Sequence, residues 1–112
     1  MKPTESDLFA AYQYLSALKP FSAWNLPSSQ SVEFEVNRSQ MLQGEYSPDP
    51  HTIKVSAEHC KTQIAVLETV AHEMVHLALE QSGGYGHLNH DEDFLKHAKA
   101  VCKAFGWKTK GF

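Results

Sequence analysis

At 112 residues, with 42% hydrophobic and 21% charged residues, the chain has the length and composition of one globular domain spanning residues 1–112. Its net charge of −3 excludes a whole-surface cationic field for nucleic acid or anionic membrane, and its two cysteines are too few for a disulfide scaffold or a four-thiolate zinc site. No apolar run approaches the roughly 20 residues that span a bilayer, and the opening MKPTESDLFAAYQYL is too polar for a signal peptide, so a soluble cytoplasmic protein with no membrane partner is expected.

The first element is a helix over residues 5–18. Thr4 and Asp7 form a capping-box pattern at its start, and Leu8, Ala11, Tyr12, Leu15 and Leu18 recur at helical spacing to make one apolar face. A connection bounded by Pro20 and Pro27 follows, carrying Phe21, Trp24 and Leu26. Residues 31–36, SVEFEV, alternate strictly and read as a half-buried strand. Residues 41–46 and 51–55 flank the turn Ser47-Pro48-Asp49-Pro50 and read as a hairpin. Together these segments predict one antiparallel sheet of three to four strands.

The second helix runs over residues 62–81 and is closed by Gly83-Gly84. Val66, Leu67, Val70, Ala71, Met74, Val75, Leu77 and Ala78 make it apolar most of the way round, so it should be central, covered by the sheet and by another helix. A polar loop at 85–90 leads to a third helix over 91–105, with Phe94, Ala98, Val101, Cys102 and Phe105 as its inner stripe. Acids at its start and lysines near its end suit the helix dipole.

The chemistry concentrates in the second helix, which contains His72-Glu73-Met74-Val75-His76, an H-E-x-x-H motif. Residues four apart lie on one helix face a turn apart, so His72 and His76 can aim imidazole nitrogens at one metal ion. Glu73 lies one step round, placed to take a proton from a water at that metal without ligating it. Burying two histidines and a glutamate in an apolar helix costs stability unless they have partners, and a metal is such a partner. A catalytic zinc takes three protein ligands and leaves a position open. His90, at the entry to the third helix, is the leading candidate for the third ligand. His87 is the second, with a role as oxyanion donor also open to it. His97 lies deeper in its helix and suits packing, and a carboxylate from Asp91, Glu92 or Asp93 remains an alternative.

With these residues in place, the chain resembles the SprT-like zinc metallopeptidase family, the core shared with Spartan proteases. The resemblance runs from about Leu8 to Trp107. It is carried by the element order, by Gly44-Glu45-Tyr46 at the hairpin, by the motif at 72–76, and by His90-Asp91-Glu92-Asp93-Phe94, which keeps the histidine-to-phenylalanine spacing of the family's H-G-x-x-F. Asp91 stands where that pattern has glycine, and with two cysteines the 112 residues hold no four-cysteine zinc ribbon such as many relatives carry, so a stand-alone catalytic core like that of small bacterial or phage relatives is expected. The resemblance implies an α+β, zincin-like fold with the motif on the central helix. It also implies one Zn2+ per chain held by His72, His76 and His90, with Glu73 as general base.

The expected activity is zinc-dependent hydrolysis of peptide bonds in a polypeptide substrate, with a zinc-binding regulatory or interaction module of little proteolytic activity as the alternative. Three further features bear on it. Cys60 and Cys102 read as reduced thiols, Cys102 within the core. Lys96, Lys99, Lys103, Lys108 and Lys110 follow Phe94 with no acid among them, forming a solvated face or a weak nucleic-acid contact. Tyr46 and Tyr85 are candidates for oxyanion stabilisation, with packing as the simpler role.

Overall fold

The structure, a computed structural model, describes residues 2–83 and 90–112. Helix α1 spans Glu5–Ser16 and opens on the expected capping box. The Asp7 amide donates to Thr4 Oγ1 at 3.2 Å, and the Thr4 amide donates to Asp7 Oδ2 at 2.8 Å. Leu8, Ala11, Tyr12 and Leu15 are buried as one face. Leu18 is not part of that face, because the helix ends before it and leaves it 36% exposed. Pro20 has no amide to continue the ladder and biases the residue before it away from helical geometry. Two short 3₁₀ turns, Phe21–Ala23 and Ser29–Ser31, carry the chain round to the sheet. Phe21 is buried there, and the Tyr12 hydroxyl donates to the Pro27 carbonyl at 2.6 Å.

The sheet has three strands among the described residues: β1 (Glu33–Asn37), β2 (Gly44–Ser47) and β3 (Thr52–Ser56), in the order β1-β3-β2. The β2–β3 hairpin forms as expected, with Gly44 opposite Val55 and Tyr46 opposite Ile53. The expectation of a purely antiparallel sheet is wrong, because β1 pairs with β3 in parallel, Phe34 opposite Ile53 and Val36 opposite Val55. The reason lies in the side chains. In β3, Thr52, Ile53, Val55 and Ser56 are all buried, so it takes the centre. Glu33 and Glu35 suit β1 to an edge. The crossover between β1 and β2 is pinned over the end of β3. The Ser56 amide donates to the Gln43 carbonyl at 2.9 Å, and the Ser56 hydroxyl donates to the Ser39 carbonyl at 2.6 Å.

Helix α2 (Gln63–Gln81) starts at Thr62, whose hydroxyl oxygen accepts from the Ala65 amide at 3.1 Å. It packs against α1, β2, β3 and the last helix, as its nearly continuous apolar surface requires. Val70, Ala71, Met74, Val75 and Leu77 are completely enclosed. Helix α3 (Glu92–Phe105) buries Phe94, Ala98, Val101 and Cys102 against α2 and ends on left-handed Gly106. No helix among the described residues is long and apolar enough to cross a membrane.

Candidate metal centre

Helix α2 carries His72 and His76 one turn apart, with ring centroids 5.1 Å from each other. The third histidine arrives from a different element. His90 immediately precedes Asp91, whose Oδ1 accepts from the Phe94 amide at 3.0 Å and so caps α3. The aspartate in place of a glycine therefore builds the turn that delivers His90. The Nε2 of His90 lies 3.2 Å from His72 Nε2 and 3.1 Å from His76 Nε2. One nitrogen from each ring falls within 4.8 Å of the others.

This donor set fits a small divalent ion. A tetrahedral ion with bonds of about 2.05 Å separates its ligand atoms by about 3.3 Å. Hydrogen bonding among the three nitrogens leaves one N–H shared between two acceptors, whereas a single ion accepts a lone pair from each ring. Burial, reinforced by the neighbouring His76 and His90, pushes the His72 pKa down to about 4. Its ring is thus neutral near pH 7 and keeps a lone pair to offer.

Phe94 forms the floor of the cluster. Its ring centroid is 4.9 Å from His72, 4.5 Å from His76 and 4.4 Å from His90, and the last two rings stack on it. The sequence places Phe94 on the inner stripe of α3, and the resemblance notes its spacing from His90. Neither says that it touches all three imidazoles.

Glu73 stands beside the cluster on the same helix and is only 5% exposed. Burial, with the charge of Glu45 adding to it, raises its pKa to about 8. Its carboxyl group borders a cleft of about 150 Å³ shared with Gln43, Gly44, Glu68, Thr69, His72, Gly111 and Phe112. The wall opposite is β2, and Gly44 lets it approach. A Cβ at Gly44 would sit 2.5 Å from Thr69 Cγ2 and 3.0 Å from Glu73 Oε2. Thr69 is itself fixed: its Oγ1 accepts from Gln43 Nε2 at 2.8 Å and lies 3.3 Å from Cys60 Sγ. A glycine inside a strand signals close approach of another group, so the sequence held that clue.

The other candidates fall elsewhere. His97 Nδ1 donates to the Asp93 carbonyl at 2.9 Å, and its ring lies 4.6 Å from Trp24, which makes it a packing residue. Glu92 and Asp93 are exposed in the first turn of α3. Tyr46 is 5% exposed, and its hydroxyl lies 2.5 Å from His51 Nδ1, which gives it a core role. Burial and the nearby Asp49 raise its pKa to about 12. Cys60 and Cys102 are buried free thiols outside the histidine cluster. His87 and Tyr85 lie outside the described residues.

An α+β scaffold that gathers three histidines over a buried glutamate defines a candidate metalloprotein. Residues 11–110 match the SprT-like family, and the chain belongs to that family. No curated protein matches the chain.

Proposed function

We propose that the chain is a zinc-dependent peptidase with a zincin-like fold, its single domain covering residues 1–112. The observation that carries this reading is the convergence of three Nε2 atoms, with one of the three histidines, His72, lining the same cleft as the buried Glu73. His72, His76 and His90 would hold one zinc ion, which would supply Lewis acidity toward a peptide carbonyl and lower the pKa of a water toward ~7. Glu73 then acts as the base: it takes the water's proton and passes it to the leaving amine. In the metal-free protein burial raises its pKa to about 8, and the positive charge of a bound zinc would favour the carboxylate form that accepts the proton. A polypeptide can lie along β2, the sheet edge that borders the cleft, and gain main-chain hydrogen bonds there. Met41, 91% exposed, and Leu42 stand just before that edge and offer apolar contacts to an unfolded substrate. The buried free cysteines suit the reducing cytoplasm.

The test combines elemental analysis with a turnover assay on an unfolded protein substrate. Wild type should hold about one zinc per chain, the number one closed set of three histidines accommodates. Replacing Glu73→Gln should keep the zinc and cut turnover by about 10²–10⁴-fold, the usual contribution of a positioned proton-transfer group. Full activity in that variant overturns the mechanism.

The small cleft supports a second reading, a zinc-binding regulatory or interaction module. At about 150 Å³ it encloses little more than a few waters. That reading requires zinc uptake with no metal-dependent cleavage. A weak nucleic-acid contact is a separate proposal, supported by Lys96, Lys99 and Lys103 exposed on one face of α3 and by Lys108 and Lys110 beyond it. Single-stranded DNA at low salt should bind detectably, and no binding there rejects the contact.

A further inference from the structure

Gly111 and Phe112 reach the cleft because the chain reverses after α3. Gly106 has φ 74° and Gly111 has φ 89°, left-handed values that glycine adopts without steric cost. Between them the segment is tied down. The Trp107 amide donates to the Cys102 carbonyl at 2.9 Å, Cys102 Sγ donates to the Lys108 carbonyl at 3.7 Å, and the Phe112 amide donates to the Thr109 carbonyl at 3.2 Å. A run of rings continues the path inward. Trp107 stacks on Phe105 with centroids 4.9 Å apart, and Phe112 lies 6.2 Å from Trp107. The Phe112 ring ends 5.4 Å from His72, tilted by 51°.

We propose that Phe112 is a positioning residue for His72: its ring packs on the imidazole at the cleft wall and holds Nε2 toward His76 and His90. The inference rests on the metal-site reading and extends it to a segment outside the motif. An imidazole can rotate about two side-chain torsions, and a ring already fixed in the ligating orientation loses less freedom when an ion binds. With Nε2 facing the other histidines, Nδ1 is the nitrogen left to donate, and the proton there leaves the Nε2 lone pair free. Outer partners of ligating histidines set tautomer and ring orientation in this way.

The experiment uses the full chain. Zinc affinity is measured by competition with a chromophoric chelator for wild type, Phe112→Ala and Phe112→Tyr, alongside the melting temperature of each metal-free protein. Phe112→Ala should weaken zinc binding by about tenfold or more, while Phe112→Tyr, which keeps the ring, should stay within about twofold of wild type. The metal-free melting temperature of Phe112→Tyr should match wild type, and Phe112→Ala, which loses a half-buried ring, should lose less metal-free stability than zinc-binding free energy. Long-range nitrogen NMR on the metal-free proteins should show His72 as one tautomer in wild type and as a mixture in Phe112→Ala. Unchanged affinity in Phe112→Ala overturns the proposal. So does an affinity loss matched by an equal loss of metal-free stability, which would reduce Phe112 to packing. If wild type takes up no zinc, the metal-site reading fails by itself, and an unaltered His72 tautomer in Phe112→Ala separately overturns the positioning role.

Discussion

The two sides of the candidate metal centre are built from different material. One side belongs to α2, enclosed by α1, the sheet and α3, and it supplies His72, Glu73 and His76. The other comes from the start of α3 and the segment beyond its end. There His90 is exposed, and the polar face of α3 is lined with lysines. The core fixes two ligands and the base whether or not an ion is bound. The third ligand depends on one helix cap. Metal binding in this arrangement fastens a surface element to a core element, so the two sides should respond differently to the same kind of damage.

The largest expected effect comes from removing ligands on either side. His76→Ala and His90→Ala should both abolish stoichiometric zinc and the zinc-dependent stabilisation, about 2.7 kcal/mol at free zinc a hundredfold above Kd and read as a rise in melting temperature. The metal-free forms should differ. Both rings stack on Phe94, but His76 is only 6% exposed, so its loss should cost about 2 kcal/mol. His90 is exposed, and its loss should change metal-free stability by about 0.5 kcal/mol at most. Equal metal-free melting temperatures for the two variants would erase the proposed difference between the sides.

A second prediction probes how tightly the sheet presses on the core side. Gly44→Ala puts a methyl group 2.5 Å from Thr69 Cγ2, and Thr69 cannot rotate away without losing its contacts with Gln43 and Cys60. Overpacking of this kind costs about 1–3 kcal/mol. It should also lower turnover, because Glu73 Oε2 is the next nearest atom at 3.0 Å. Thr69→Ser removes the clashing methyl while keeping the hydroxyl, so the double variant should recover much of the lost stability. Strictly additive losses in a double-mutant cycle would show that the crowding lies elsewhere.

The same division explains what could be read from the sequence. The capping box at Thr4, the central place of α2 and the convergence of His72 with His76 are local consequences of helix periodicity, and all three stand in the structure. His90 could be anticipated because a loop and a helix start constrain where it can return. The strand order could not, because alternation reports which face of a strand is buried and not which neighbour it pairs with. The insertion of β3 between β1 and β2 follows from a burial difference that shows only once the layers are assembled. Phe94 under the imidazoles, Gly44 against Thr69 and Phe112 against His72 are contacts between distant segments. The sequence carried only indirect signs of them, such as a glycine within a strand.

The smallest expected effect concerns Asp91, and it separates a residue that serves the metal from one that serves the helix. Its carboxylate caps α3 through the Phe94 amide, and the ligand cluster does not include it. Asp91→Ala should cost about 1 kcal/mol, the usual worth of an N-cap. Because His90 is the preceding residue, the frayed start of α3 should also weaken zinc binding. Asp91→Asn restores an equally good cap without the charge. Asp91→Gly, which restores the residue of the H-G-x-x-F pattern, should cost only a few tenths of a kcal/mol. If the carboxylate acted on the metal, Asn and Gly would both fail in zinc affinity while stability held. If it acts as the cap, zinc affinity and helix stability move together through the series, with Ala the weakest of the three.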